Sequence, residues 1–147
     1  MAEAWKVLYY RDPDGTVPVS QFLGEADLTA GEIKQIRTRL GYISQYGIAI
    51  LGQRADVLET LEGKDAQGIY SLRCPNTPNN PRILLCAVVE RTFVLLHGFK
   101  ELNSSDYAAA IRIAKTRKQK LEKAEEVRQA KAKSSQPATK NKKGKKQ

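Results

Sequence analysis

The chain has 147 residues and, with 25 Lys plus Arg against 16 Asp plus Glu, a formal charge of +9. That length suits one core-forming domain with an extension, and the longest clean apolar run, Ile83 to Val89, has strand length, which excludes a membrane-spanning helix. Met1 to Lys6 lacks the basic-then-apolar pattern of a secretory signal, and two cysteines with one histidine give neither a disulfide framework nor zinc-ligand spacing, so a cytoplasmic protein without metal or cofactor is expected.

Trp5 to Tyr10 reads as a first strand, stopped by Asp12-Pro13-Asp14-Gly15. Pro18 to Leu23 reads as a brief helix. Thr29 to Gly47 carries the strongest helical pattern: Thr29 and Glu32 form a capping box, Leu28 and Ile33 a hydrophobic staple, and Ile33, Ile36, Leu40 and Ile43 recur on one face. Ala55 to Leu61 suggests a further turn of helix. Ile69–Cys74, Arg82–Val89 and Thr92–Gly98 are strands, and Ser105 or Asp106 opens a long helix with Tyr107, Ile111 and Ala114 inward and its far end, Arg117 to Lys133, in solvent. Consecutive strands indicate an α+β fold with an antiparallel sheet.

Charge is concentrated at the end of the chain. Residues 1–118 hold 15 basic and 13 acidic side chains, whereas residues 119–147 hold 10 and 3. The division expected is a folded domain over 1–118 and a basic helical extension with a Lys-rich tail over 119–147, disordered from about Ser134. Such a tail is either solubilising or a non-specific arm for polyanions, with Lys140, Lys142 and Lys143 as its RNA contacts.

Symmetric hairpins would place Leu84 opposite His97, Arg82 opposite Phe99, and Arg73 opposite Arg82. One sheet face would then carry Tyr70, Leu72, Ile83, Leu85, Ala87, Val89, Val94 and Leu96 against the helices. The other would gather Arg73, Arg82, His97 and Phe99 at one end, with Lys100 next in sequence. Two opposed arginines repel unless an anion lies between them. A phosphate-binding floor satisfies that requirement, and so do structural carboxylates such as Glu62, Asp65 or Glu101. A histidine beside two guanidinium groups is expected to stay neutral and able to accept a proton.

Gly68-Ile69-Tyr70-Ser71-Leu72-Arg73, Pro81-Arg82-Ile83-Leu84 and Phe93-Val94-Leu95-Leu96-His97-Gly98-Phe99-Lys100 together resemble the RelE/HigB toxin superfamily, in particular its phage-derived HigB-like branch. Tyr9-Tyr10, Asp14-Gly15 and Pro18-Val19 fit that branch too, and the resemblance spans roughly Trp5 to Lys118. It implies a RelE-like microbial-RNase fold, with a curved antiparallel sheet, helices packed on one face and a long C-terminal helix. It implies metal-independent cleavage of mRNA, commonly on the ribosome, by 2′-hydroxyl attack on the adjacent phosphate, and neutralisation by a cognate antitoxin protein. Carried over by position, Arg73, Arg82, His97 and Lys100 would be catalytic; Lys64 and Phe99 are further candidates for RNA contact. Glu101 stands where the family often has a second lysine, and Ser71 where some relatives have lysine or glutamate. Tyr107 falls on the apolar stripe, which favours core packing. The alternatives are a ParE-like inhibitor of DNA gyrase without nuclease activity and a catalytically inactive RNA-binding homologue; the oligomeric state is left open.

Overall fold

The computed structural model describes residues 4–25, 27–88 and 91–135. Five strands form one sheet in the order β1-β5-β4-β3-β2, with β1 Lys6–Tyr9, β2 Leu58–Thr60, β3 Tyr70–Arg73, β4 Pro81–Val88 and β5 Thr92–Lys100. Three helices accompany it: α1 Pro18–Glu25, α2 Ala30–Tyr46 and α3 Ser104–Ser135. The class is α+β, but the sheet is mixed. β1 runs parallel to β5, while the other pairs are antiparallel. The excursion through α1 and α2 carries the chain from one sheet edge, β1, to the other, β2.

Local chemistry explains α2. The Thr29 side chain accepts from the Glu32 backbone at 3.1 Å, and the Glu32 carboxylate accepts from the Thr29 backbone at 2.8 Å, completing the capping box. The helix ends at Gly47, whose φ is +65°. Trp5 packs directly on this glycine, so a Cβ there would collide with the indole ring. Backbone conformation and close approach therefore both require glycine. The predicted helical turn at 55–61 is not formed. A 3-10 turn, Gly47–Gly52, comes earlier, and Leu58–Thr60 instead adds to the sheet edge beside β3.

The β3–β4 register follows the symmetric expectation, with Arg73 opposite Arg82 and Ser71 opposite Leu84. The β4–β5 pair departs from it midway. His97 opposes Leu84, but Leu95 opposes Leu85, so Leu96 is an extra residue in a bulge. Beyond the bulge each β5 side chain changes face. Phe93 and Leu95, not Val94 and Leu96, join Leu72, Ile83 and Leu85 in the core cluster with Val19, Ile36 and Ile43. The expected apolar face is corrected accordingly, and its Val89 lies outside the described residues.

Helices cover both faces, not one. On the face opposite that core cluster, Tyr107 at the start of α3 reaches Ser71, and Arg117 reaches His97, while Ala110 and Ala114 between them are buried. Contacts divide the chain into two units, Met1–Arg117 and Lys118–Gln147. Within the second, α3 runs to Ser135, close to where the tail was expected to begin, and Lys118 bonds Glu122 at 2.7 Å. No helix among the described residues is long and apolar enough to cross a membrane.

Candidate functional site

At one end of the sheet the register builds two rows on the α3 face. Glu59, Ser71, Leu84 and His97 form one across four strands, and Arg73, Arg82 and Phe99 form the next. Same-face neighbours along a strand are about 7 Å apart, within reach of long side chains. Arg73, Arg82, His97 and Phe99 are thereby brought together. Lys100 is not: it opposes Pro81 and so projects from the other face. Lys64 is exposed in a short 3-10 turn, Lys64–Ala66, and Lys140, Lys142 and Lys143 lie outside the described residues.

The opposed arginines are held by carboxylates. Arg82 has a side chain only 8% exposed, and its Nε and Nη2 approach Glu101 Oε1 at 3.0 and 2.9 Å. Glu101 is itself oriented by Asn80, whose Nδ2 donates to the Glu101 carbonyl at 3.1 Å. Glu59 Oε1 lies 3.5 Å from Arg73 Nε and 4.0 Å from Arg82 Nη1. Of the carboxylates expected from the sequence, Glu101 takes this role and Asp65 does not, because Asp65 bonds Lys115 at 2.7 Å. Charge compensation is incomplete in hydrogen-bonding terms. Arg73 Nε and Arg82 Nη1 are buried without an acceptor among the described residues, though both are turned towards Glu59. Both donors from neighbouring strands are thus turned to one carboxylate oxygen, which lies too far away to satisfy either of them.

Aromatic rings wall this pair. The Tyr107 ring meets Phe99 edge-on with centroids 5.1 Å apart, and the Arg82 guanidinium lies over it at 5.8 Å. Tyr107 Oη and Ser71 Oγ share a hydrogen bond of 2.6 Å. Burial raises the Tyr107 pKa, opposed by the Ser71 bond and the Arg82 charge, so its hydroxyl stays protonated. His97 stacks on Phe99 with centroids 6.1 Å apart.

The His97 pKa falls to about 4, chiefly through burial and secondly through the Arg117 charge. The direction is the one expected, but the source is not Arg73 or Arg82. Arg117 Nη1 lies 3.1 Å from His97 Nδ1 and 2.9 Å from the Leu96 carbonyl. Leu96 is the extra residue of the bulge and its carbonyl accepts from Arg117, while His97 keeps the place opposite Leu84 that symmetric pairing gives it. An open groove of about 350 Å³ passes His97, bordered by Pro18, Gln21, Phe22, Glu25, Gly98 and Arg117. Phe22 rests on Gly98, leaving no room there for a Cβ.

Two participants escape sequence reasoning. Glu59 belongs to a strand of three residues, too short to show alternation. Arg117 was expected in solvent, yet the spacing Tyr107, Ala110, Ala114, Arg117 runs down one helical face and contains the signal that places it on the sheet. Among the described residues no group of three His, Cys, Asp or Glu side chains gathers where a metal ion could sit. No family model matches the chain, and no curated protein matches it.

Proposed function

We propose that this chain is a toxin-like endoribonuclease of the RelE/HigB type, acting on mRNA with the ribosome as platform and restrained by a cognate antitoxin. The observation that carries this reading is the convergence of Arg73, Arg82, His97 and Phe99 on one face at one end of the sheet. In the reaction proposed, a 2′-hydroxyl loses its proton to water and attacks its adjacent phosphodiester, the P–O5′ bond breaks, and the departing 5′ oxygen takes a proton from water, leaving a 2′,3′-cyclic phosphate and a 5′-hydroxyl. Arg73 and Arg82 would meet the non-bridging oxygens as negative charge develops, in place of the carboxylates of Glu59 and Glu101 that now face them. Phe99 and Tyr107 would offer surfaces on which bases stack. Exposed basic side chains, Lys64 among them, would add sequence-independent affinity for the RNA backbone.

A second reading, a catalytically inactive RNA-binding homologue, is favoured by a specific observation. Glu101 and Glu59 already neutralise the arginine pair, and Lys100 projects from the opposite face. For cleavage, a phosphate has to displace Glu101 from Arg82. The experiment that separates the readings induces the chain in cells and maps new mRNA 5′ ends, beside Glu101→Gln and Arg82→Lys. The ribonuclease reading expects codon-phased cuts, increased by Glu101→Gln as the competing charge is removed, and reduced about 100- to 1000-fold by Arg82→Lys, the usual effect of losing one preorganised donor. Intact mRNA in every case with RNA still bound supports the inactive homologue, and intact mRNA with induction of the DNA-damage response supports a gyrase inhibitor.

A further inference from the structure

We infer that Arg117 fixes His97 as a neutral imidazole with its proton on Nε2, which makes His97 a hydrogen-bond donor at the proposed site and Arg117 its positioning residue. A guanidinium has donors and no acceptor. With Arg117 Nη1 3.1 Å from His97 Nδ1, the lone pair on Nδ1 must be the acceptor. A neutral imidazole carries one proton, so that proton resides on Nε2.

The guanidinium is well fixed. Its Nη1 also donates to the Leu96 carbonyl at 2.9 Å, its Nη2 lies 3.9 Å from Asp12 Oδ2, and its Cζ lies over the Tyr10 ring, 5.7 Å from the centroid. The side chain is 18% exposed, which leaves little freedom to swing away. The other groups facing His97 do not reverse this. Phe99 stacks on its ring, and Leu84 lies opposite it in the sheet. Along the groove α1 contributes Pro18, Gln21, Phe22 and the carboxylate of Glu25, while Asp12 is turned to Arg117. Protonating Nδ1 would set two cations in contact in a half-buried place and lose the bond that orients the ring.

The chemical consequence is a change of role. His97 cannot take the 2′-hydroxyl proton through Nδ1, since that lone pair is occupied, nor through Nε2, which already bears hydrogen. It can donate Nε2–H to a non-bridging phosphate oxygen with no proton transferred. That use of the donor rests on the ribonuclease reading, whereas the tautomer itself does not.

The chain has one histidine, so labelling the imidazole with nitrogen-15 gives one pair of ring signals. In the full-length protein the expected result is the Nε2-protonated pattern, unchanged from about pH 8 to pH 6, with a midpoint near 4. Arg117→Met should raise the midpoint by about one pH unit or more and mix the tautomers, as expected for removal of an adjacent like charge. Arg117→Lys, which retains the charge, should hold the midpoint below the ordinary 6.5. A wild-type midpoint near 6.5, a proton on Nδ1, or a folded Arg117→Met protein with unchanged signals would each overturn the assignment. If Arg117→Met does not fold, the wild-type spectrum still decides. None of these measurements involves cleavage, so they can fail while the ribonuclease reading stands, and succeed while it falls.

Discussion

On the α2 face of the sheet, Leu72, Ile83, Leu85, Phe93 and Leu95 meet Val19, Ile36 and Ile43, and all eight are buried apolar side chains. On the α3 face, the end near Arg82 holds Ser71, two arginines, a histidine and two aromatic rings, with most of their polar atoms bonded to named partners and Arg73 Nε and Arg82 Nη1 left without an acceptor. Apolar packing is non-directional and needs only volume and alternation. Polar packing needs a partner at each atom, because a buried group left unpaired is costly. The two faces should therefore respond differently to substitution. The first should lose stability in proportion to volume removed, and the second in proportion to partners stranded.

The largest effect is expected on the apolar face. Phe93 is fully buried and stacks on Trp5 with ring centroids 4.6 Å apart. Phe93→Ala should cost about 3–5 kcal/mol through lost transfer energy and the cavity left behind. Urea unfolding followed by circular dichroism measures it, and a loss below about 1 kcal/mol would mean that the sheet and α2 are not tightly packed there.

Next comes a buried carboxylate that ties the helical layer to the loop entering β4. Glu32 accepts from the Asn79 backbone and side chain, each at 2.7 Å, and from the Thr29 backbone at 2.8 Å. Burial pushes its pKa up, but the Asn79 side chain, the Thr29 backbone and the Asn79 backbone outweigh that and hold the carboxyl at about 2, below its ordinary 4.5. The folded pKa is the depressed one, so this stabilisation is fully present above pH 4.5 and is lost as pH falls towards 2. Its size is of order 3 kcal/mol, from about 1.4 kcal/mol per pH unit. Stability of wild type should fall through that window by more than that of Glu32→Gln, whose amide does not titrate. Parallel pH profiles would remove Glu32 from this role.

The legibility of the chain follows the same division between faces. The capping box and the stripe of α2 are local patterns, and local patterns survive in sequence. The opposition of Arg73 and Arg82 was also legible, because a loop centred between Thr77 and Pro78 fixes the β3–β4 register. The bulge at Leu96 was not. In Val94-Leu95-Leu96 each residue is apolar, so no alternation marks which one is extra, and a shift of one residue there exchanges the faces of Phe93 to Leu96. The parallel pairing of β1 with β5 links residues more than eighty positions apart and leaves no local trace. The candidate site was legible in its arginines and not in their compensation. Glu59 arrives through a three-residue edge strand, and Arg117 through one further turn of a helix whose apolar signal had already ended.

The smallest effect tests whether the α3 face is held by matched partners. Ser71 is fully buried, and its hydroxyl shares a 2.6 Å bond with Tyr107 Oη. Tyr107→Phe keeps the ring against Phe99 and Arg82 and removes one oxygen, leaving the Ser71 hydroxyl without its partner. The loss should be about 1–2 kcal/mol, the cost of an unsatisfied buried hydroxyl, and Ser71→Ala should cost less because the Tyr107 hydroxyl is half-buried and can turn to water. In the double variant both polar groups are gone, nothing is stranded, and the combined loss should be smaller than the sum of the two single losses by about 0.5–1.5 kcal/mol. Phe93→Ala combined with Tyr107→Phe gives the contrasting case, since these residues lie on opposite faces and share no partner, and their effects should add within about 0.5 kcal/mol. Additivity in the Ser71–Tyr107 cycle would mean that the bond contributes nothing, and that α3 is held to the sheet by the Tyr107 ring, Ala110, Ala114 and the Arg117 contacts without it.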